Sequence, residues 1–245
     1  MTTSPDNSVV VVADGSGSAG HAERWAADEA TRWGARLRVT RDLAVPSLIE
    51  ESREARLIVF APGGEPVTAL ALVTDGHCPV AVVRGRKLEQ APPVEGPVVV
   101  GVDGTPASEP ALALAFAEAS SRGADLLAVH TWVQFSATST DSYARDHLTS
   151  TADIAVEESE LLAERLAGWQ EKYPEVTVHR VVSRNRPVRF LLEQAEHARL
   201  LIVGSRAGAW FSDLSHGSTS QALLFGTPCP LIVVRAAITD EMRTR

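Results

Sequence analysis

The chain repeats itself. The stretch "VVVVADGS", ending at Ser16, returns as "VVVGVDGT", ending at Thr105, and "CPVAVVR" from Cys78 returns as "CPLIVVR" from Cys229. Between these anchors "RWGARL" matches "SRGADL", which places Gly34 on Gly123 and Leu37 on Leu126, and "EARLIVFA" matches "HARLLIVG". Self-similarity of this kind means that one folding unit is present twice. The two copies differ in length. Equivalent residues stand 89 positions apart at Asp14 and Asp103, 143 apart at Leu57 and Leu200, and 151 apart at Cys78 and Cys229. The first copy has therefore lost 54 residues after "RLRVT" and 8 more after "RLIVFA".

The longer copy shows what the unit is. Short Val/Leu/Ile-rich runs bounded by turn residues predict strands near 97–102, 125–131, 176–182, 199–203 and 230–234. The intervals predict helices near 107–122, 144–172, 187–197 and 217–226. Helices alternating with nearly all-apolar strands indicate an α/β fold whose parallel sheet is buried on both faces. Ligands in such sheets bind beyond the carboxyl ends of the strands. In the shorter copy the gap removes the equivalents of the second helix and third strand. Four strands remain there, with one exposed edge or uncovered face expected. The charged, proline-bearing stretch "RGRKLEQAPPVEGP" from Arg84 to Pro97 reads as a linker. The expected units are 1–88 and 97–236, with the boundary near Ala91.

Two compact units suit a chain of 245 residues. A formal net charge of -8 argues against a surface built for nucleic acid. No apolar run approaches the roughly 20 residues that span a bilayer, and "MTTSPDNS" resembles no signal peptide, so a cytoplasmic protein is expected. Cys78 and Cys229 each precede an apolar run with no ligand cluster beside them, which predicts buried hydrophobes rather than metal ligands.

A strand running into DG(S/T) and a helix at Asp14 and Asp103, a strand running into Gly204, "GST" opening a helix, and the "PCPLIVVR" ending together resemble the universal stress protein family. The form is a tandem one with a truncated N-terminal copy. The resemblance implies two Rossmann-like domains, of the adenine nucleotide alpha hydrolase-like kind. It implies the sheet order 3-2-1-4-5 in the full copy, and pairing of the copies through their last strands, "VAVV" antiparallel to "LIVV". The nucleotide-binding branch carries a loop G-x2-G-x9-G-(S/T) that cradles the phosphates of ATP. Gly204, position 207, Gly217 and Ser218 match its spacing, but position 207 is Ala207. If that position needs a positive φ, alanine costs about 1–2 kcal/mol. The neighbouring Gly208 offers the missing freedom one place along, so weakened binding is expected rather than a lost site. Gly217, Ser218 and Thr219 supply amides and hydroxyls at a helix N-terminus, where the macrodipole favours anions; an ordinary N-cap would use the same residues. By the same resemblance Gly101, Val102 and Asp103 meet the adenosine, and Thr131 and Val203 line the pocket. An Asp103 that merely caps the turn at Thr105 would read identically.

In the first copy Ala61 replaces Gly204, and Pro66 and Val67 stand opposite Gly217 and Ser218, so its phosphate cradle is dismantled. A competing motif lies in "GSGSAG", from Gly15 to Gly20, which fits a dinucleotide fingerprint with Asp42 as its distal acid. The aligned "GTPASE" of the second copy keeps one glycine and weakens it. P-loop, nucleophile-elbow and zinc-protease signatures are absent from the chain. The leading expectation is a non-enzymatic regulatory module that binds ATP or a related adenine nucleotide in its C-terminal domain. The alternative is a stress-related interaction module that binds no nucleotide, with the truncated copy as its docking surface. Protein partners and homodimerisation are left open.

Overall fold

The computed structural model describes residues 7–13, 18–61, 66–87, 90–132, 151–205, 223–224 and 226–235. In chain order the elements are β1 (Ser8–Val12), α1 (Ala19–Arg32), β2 (Arg36–Thr40), α2 (Val45–Glu51), β3 (Ala55–Phe60), α3 (Pro66–Asp75) and β4 (Val80–Val82). Then follow β5 (Val98–Val102), a 3-10 turn (Pro106–Ser108), α4 (Glu109–Arg122), β6 (Leu126–Trp132), α5 (Thr151–Lys172), β7 (Val178–Arg184), α6 (Pro187–Ala195), β8 (Leu200–Ser205) and β9 (Leu231–Arg235). Runs such as SVVVV and VVVGV become strands because β-branched side chains pack well on a pleated surface and lose rotamers in a helix. Both copies stop their first helix alike: Gly34 and Gly123 adopt φ of 59° and 55°, a left-handed turn that glycine enters at little cost.

The nine strands form one sheet in the order β2-β1-β3-β4-β9-β8-β5-β6-β7. Pairing is parallel within each half. At the join β4 runs antiparallel to β9, with Val80 opposite Val233 and Val82 opposite Leu231. The C-terminal half thus reads 3-2-1-4-5 in its own strand numbering. The central strands β1, β3, β4, β5, β8 and β9 are buried on both sides, as parallel strands require. One core joins Val9, Val11, Val98 and Val100 to Trp25 of α1, Phe116 of α4 and Leu162 and Leu166 of α5. The other joins Val10, Ile58, Val99 and Leu201 to Leu48, Leu72 and Leu191 of α2, α3 and α6.

The shortened copy pays for its deletion at β2. Among the described residues that strand pairs only with β1, and its Leu37 and Val39 are 40% and 52% exposed. Their counterparts in the longer copy, Leu126 and Ala128, are fully buried in the core that contains Leu162 and Leu166 of α5. The missing helix and strand account for the difference.

Repetition also brings two charges inside. Glu29 of α1 and Glu118 of α4 occupy equivalent positions and are both fully buried. The Arg122 guanidinium donates to both carboxylates, and Arg32 adds a 3.0 Å contact to Glu29. Oε2 of Glu29 and Oε1 of Glu118 have no hydrogen-bond partner among the described residues.

Candidate functional site

From β5 the chain winds outward to β6 and β7, then returns to β8 on the opposite side of β5. The strand order therefore switches between β5 and β8, and the crevice beyond their carboxyl ends is where an open α/β sheet receives a ligand. Asp103 follows β5 directly, and Gly204 lies at the end of β8.

Asp103 is built into a tight turn. Its Oδ1 accepts from the Thr105 amide at 2.9 Å, from the Thr105 hydroxyl at 2.7 Å and from the Ser108 hydroxyl. The Asp103 amide in turn donates to Ser108 Oγ at 2.9 Å. The carboxylate thus closes the turn before α4 through Thr105 and Ser108, and no side-chain hydrogen bond caps α4 itself. This closure holds the turn's backbone at the mouth of the crevice. Glycine suits position 104: its φ is 76°, which strains any L side chain, and a Cβ would lie 2.7 Å from Leu161 Cδ2, which would have to shift.

Helix α5 locks the same turn from below. Arg165 Nε donates to the Gly104 carbonyl at 3.1 Å. The buried His130 ring lies 2.7 Å from the Val102 carbonyl through Nδ1 and 2.7 Å from Glu158 Oε2 through Nε2. A carbonyl can only accept, so the Nδ1 proton is assigned to that bond, and Nε2 meets the Glu158 carboxyl. Across the crevice, a Cβ on Gly204 would stand 3.3 Å from the Ala107 carbonyl. The absent side chain lets β8 run close past the 3-10 turn.

The structure brings Asp103 and Gly204 together at the crevice. Gly101, Val102 and Val203 lie just inside it as sheet interior. Gly101 is paired with Val203, and a side chain there would press on Leu191. Val102 and Val203 are each 4% exposed. Thr131 sits one strand further out, opposite Ser183. Ala207, Gly208, Gly217, Ser218 and Thr219 lie outside the described residues, as does Asp14. In the first copy Ala61 is buried and α3 already begins at Pro66. Asp42, the distal acid of the competing motif, accepts from the Ala44 amide at 2.9 Å, and that bond, then Ser47, holds its carboxyl below the usual range. Asp42 thus orders the turn into α2.

Ser108, His130, Glu158 and Arg165 were not anticipated. Ser108 left a faint signal, two hydroxyls at fixed offsets after Asp103. The other three carried none, because α5 reaches the turn only through the fold. Both cysteines are free and buried, and burial pushes both thiols up to about 12. Among the described residues no cluster of three His, Cys, Asp or Glu is placed to hold a metal, and no helix is long and apolar enough to cross a membrane.

A mostly parallel sheet with helices on both faces and a glycine-walled crevice at its switch point makes this a Rossmann-like α/β protein. A model of the Universal stress protein family matches residues 96–235, and the chain belongs to that family. It is 38% identical over 204 residues to universal stress protein Rv2623 of Mycobacterium tuberculosis, covering 80% of this chain and 67% of the relative. It is 38% identical over 199 residues to universal stress protein Mb2028c of Mycobacterium bovis, covering 78% and 65%. The chain thus spans about two thirds of the length of these curated relatives. A universal stress protein from Archaeoglobus fulgidus has a similar fold, with a TM-score of 0.60 at 16% identity over 94% of this chain and 96% of that one. A putative universal stress protein from Pseudomonas aeruginosa superposes with a TM-score of 0.51 at 15% identity, over 97% and 86%.

Proposed function

We propose that the protein is a non-enzymatic regulatory module of the cytoplasm that binds ATP, or a related adenine nucleotide, in the crevice between β5 and β8 of its C-terminal half. The observation that carries this reading is the close passage of Gly204 past the Asp103 turn. The absent Cβ and the Asp103–Ser108 clamp hold two backbone segments together at the switch point, directly before a stretch whose glycines and hydroxyls are spaced for phosphates. Nucleotide occupancy would then alter the surface shown to a protein partner. The reading is confined to the second copy, because the first has Ala61 where the second has Gly204 and its α3 begins at Pro66.

The test is direct. Gently purified protein is denatured and its released small molecules identified, then ATP is titrated calorimetrically into the wild type and into Gly217→Val. Release or binding of adenine nucleotide, lost in Gly217→Val, is expected. No released nucleotide and no heat at millimolar ATP would sink the proposal. Ala207→Gly adds a sharper arm and is expected to tighten binding. A second reading, an interaction module that needs no nucleotide, is favoured by the exposed Leu37 and Val39 on β2.

A further inference from the structure

Where α1, the linker and the end of α4 meet, a cavity of about 410 Å³ opens between the two copies. That volume falls within the roughly 300–1,000 Å³ of small-molecule sites. Four guanidiniums line it: Arg24 and Arg32 from α1, Arg122 from the end of α4, and Arg199 from just before β8. Asp28 is the one carboxylate among its lining residues. Trp25, Pro92 and Val94 add apolar surface to its lining.

The arginines are held but not used up. Arg199 Nε donates to the Gly96 carbonyl at 2.7 Å, and Arg24 Nη2 meets His21 Nδ1 at 2.9 Å. Arg32 makes its contact through Nη2 to Glu29. A guanidinium carries five N–H donors, so each of these three retains several with no partner among the described residues. Arg122 is anchored from behind by the fully buried Glu29 and Glu118. Burial first, then repulsion from Arg122 and Arg32, with Glu95 opposing, hold the Arg199 pKa below the usual arginine range. An anion placed between these cations would relieve that repulsion. Forked donors from three segments that line one cavity match the several oxygens of a phosphate group better than a single carboxylate.

We propose that this cavity is a second ligand site, taking a small anion that carries one or two phosphate groups. It is separate from the nucleotide crevice. Arg199 precedes β8 and Gly204 lies near its other end, so at the rise of a strand the two sites stand roughly 16 Å apart. The proposal goes beyond the nucleotide reading and does not depend on it. A bound anion would tie α1 and the linker of the first copy to α4 and β8 of the second.

The test is calorimetric titration of the whole chain with inorganic pyrophosphate, and separately with inorganic phosphate. The proteins compared are the wild type, Arg32→Gln/Arg199→Gln, Arg24→Gln and Gly217→Val. Binding is expected in the wild type and undiminished in Gly217→Val. It should be weakened about tenfold or more in the double variant, since each lost charge-assisted hydrogen bond is worth about 1.5–3 kcal/mol. Arg24 is exposed and, among the described residues, hydrogen-bonds to His21, so Arg24→Gln serves if the double variant does not fold, and it too should weaken binding. ATP binding should survive both arginine changes. Binding lost in Gly217→Val but intact in the arginine variants would place the anion in the nucleotide loop and overturn the proposal. So would the absence of binding at millimolar pyrophosphate and phosphate.

Discussion

Replacing Glu118 with glutamine should make the fold more stable in alkaline solution and its stability less dependent on pH. Glu118 has no solvent exposure. Burial first, then the Glu29 carboxylate, push its pKa from 4.5 up to about 7, against the opposing pull of Arg122 and Arg32. Arg56 of β3 also faces it. In the unfolded chain the carboxyl titrates near 4.5, so between 4.5 and about 7 the folded protein keeps a proton that the unfolded chain has released. Stability therefore falls as pH rises through that window, the reverse of an exposed, salt-bridged acid. The loss is on the order of 3 kcal/mol. This is a ceiling, because relaxation around a buried charge recovers part of the cost. Glutamine preserves the shape and an acceptor for Arg122 while carrying no charge, so the variant should lose the slope. Thermal unfolding of both proteins across a pH series measures it. In alkaline buffer the variant should melt above the wild type by up to roughly 6–12 °C, given about 2–4 °C per kcal/mol for a chain of this size. In mildly acidic buffer the advantage should vanish or reverse. A wild type whose stability climbs with pH across the window, or a variant that keeps the wild-type slope, would refute the reasoning.

Two further outcomes are expected. Gly104→Ala should destabilise by more than Gly123→Ala in thermal unfolding. Both positions have positive φ and share a strain of about 1–2 kcal/mol, but only at Gly104 does the new methyl meet a side chain, Leu161. Equal losses would mean that α5 does not press on the Asp103 turn. Leu126→Ala should cost about 2–5 kcal/mol in urea unfolding while Leu37→Ala stays within about 0.5 kcal/mol, although the two residues are equivalent in the duplication. A comparable loss at Leu37 would show that β2 is covered after all.

Much of the architecture was legible because duplication supplies its own control. A pattern read once in 97–236 could be checked against 1–88, and the mismatches told where elements were missing. The exposed face of β2 follows from that comparison: Leu37 keeps the apolar identity that Leu126 needs, while the helix that would bury it is gone. Glu29 and Glu118 carry a signal in the sequence too, an acid at the same place on a helix in both copies. Of the candidate site, only the part along the strands was legible. Asp103 and Gly204 are neighbours of strand ends, and strand ends are local in sequence. His130, Glu158 and Arg165 reach the Asp103 turn from a strand and a helix far along the chain, and no spacing rule links them to it.

Hydrophobic period, β-branched runs and repeated turn residues thus determined by themselves that this chain alternates helices with the strands of a mostly parallel sheet, because these preferences act over a few residues. Tertiary structure alone decided which charges are buried together, how α5 braces the Asp103 turn, and that four arginines from both copies and the approach to β8 meet around one cavity. Those outcomes depend on distances between elements that are remote in the chain, and burial sets their energies only after the sheet has closed.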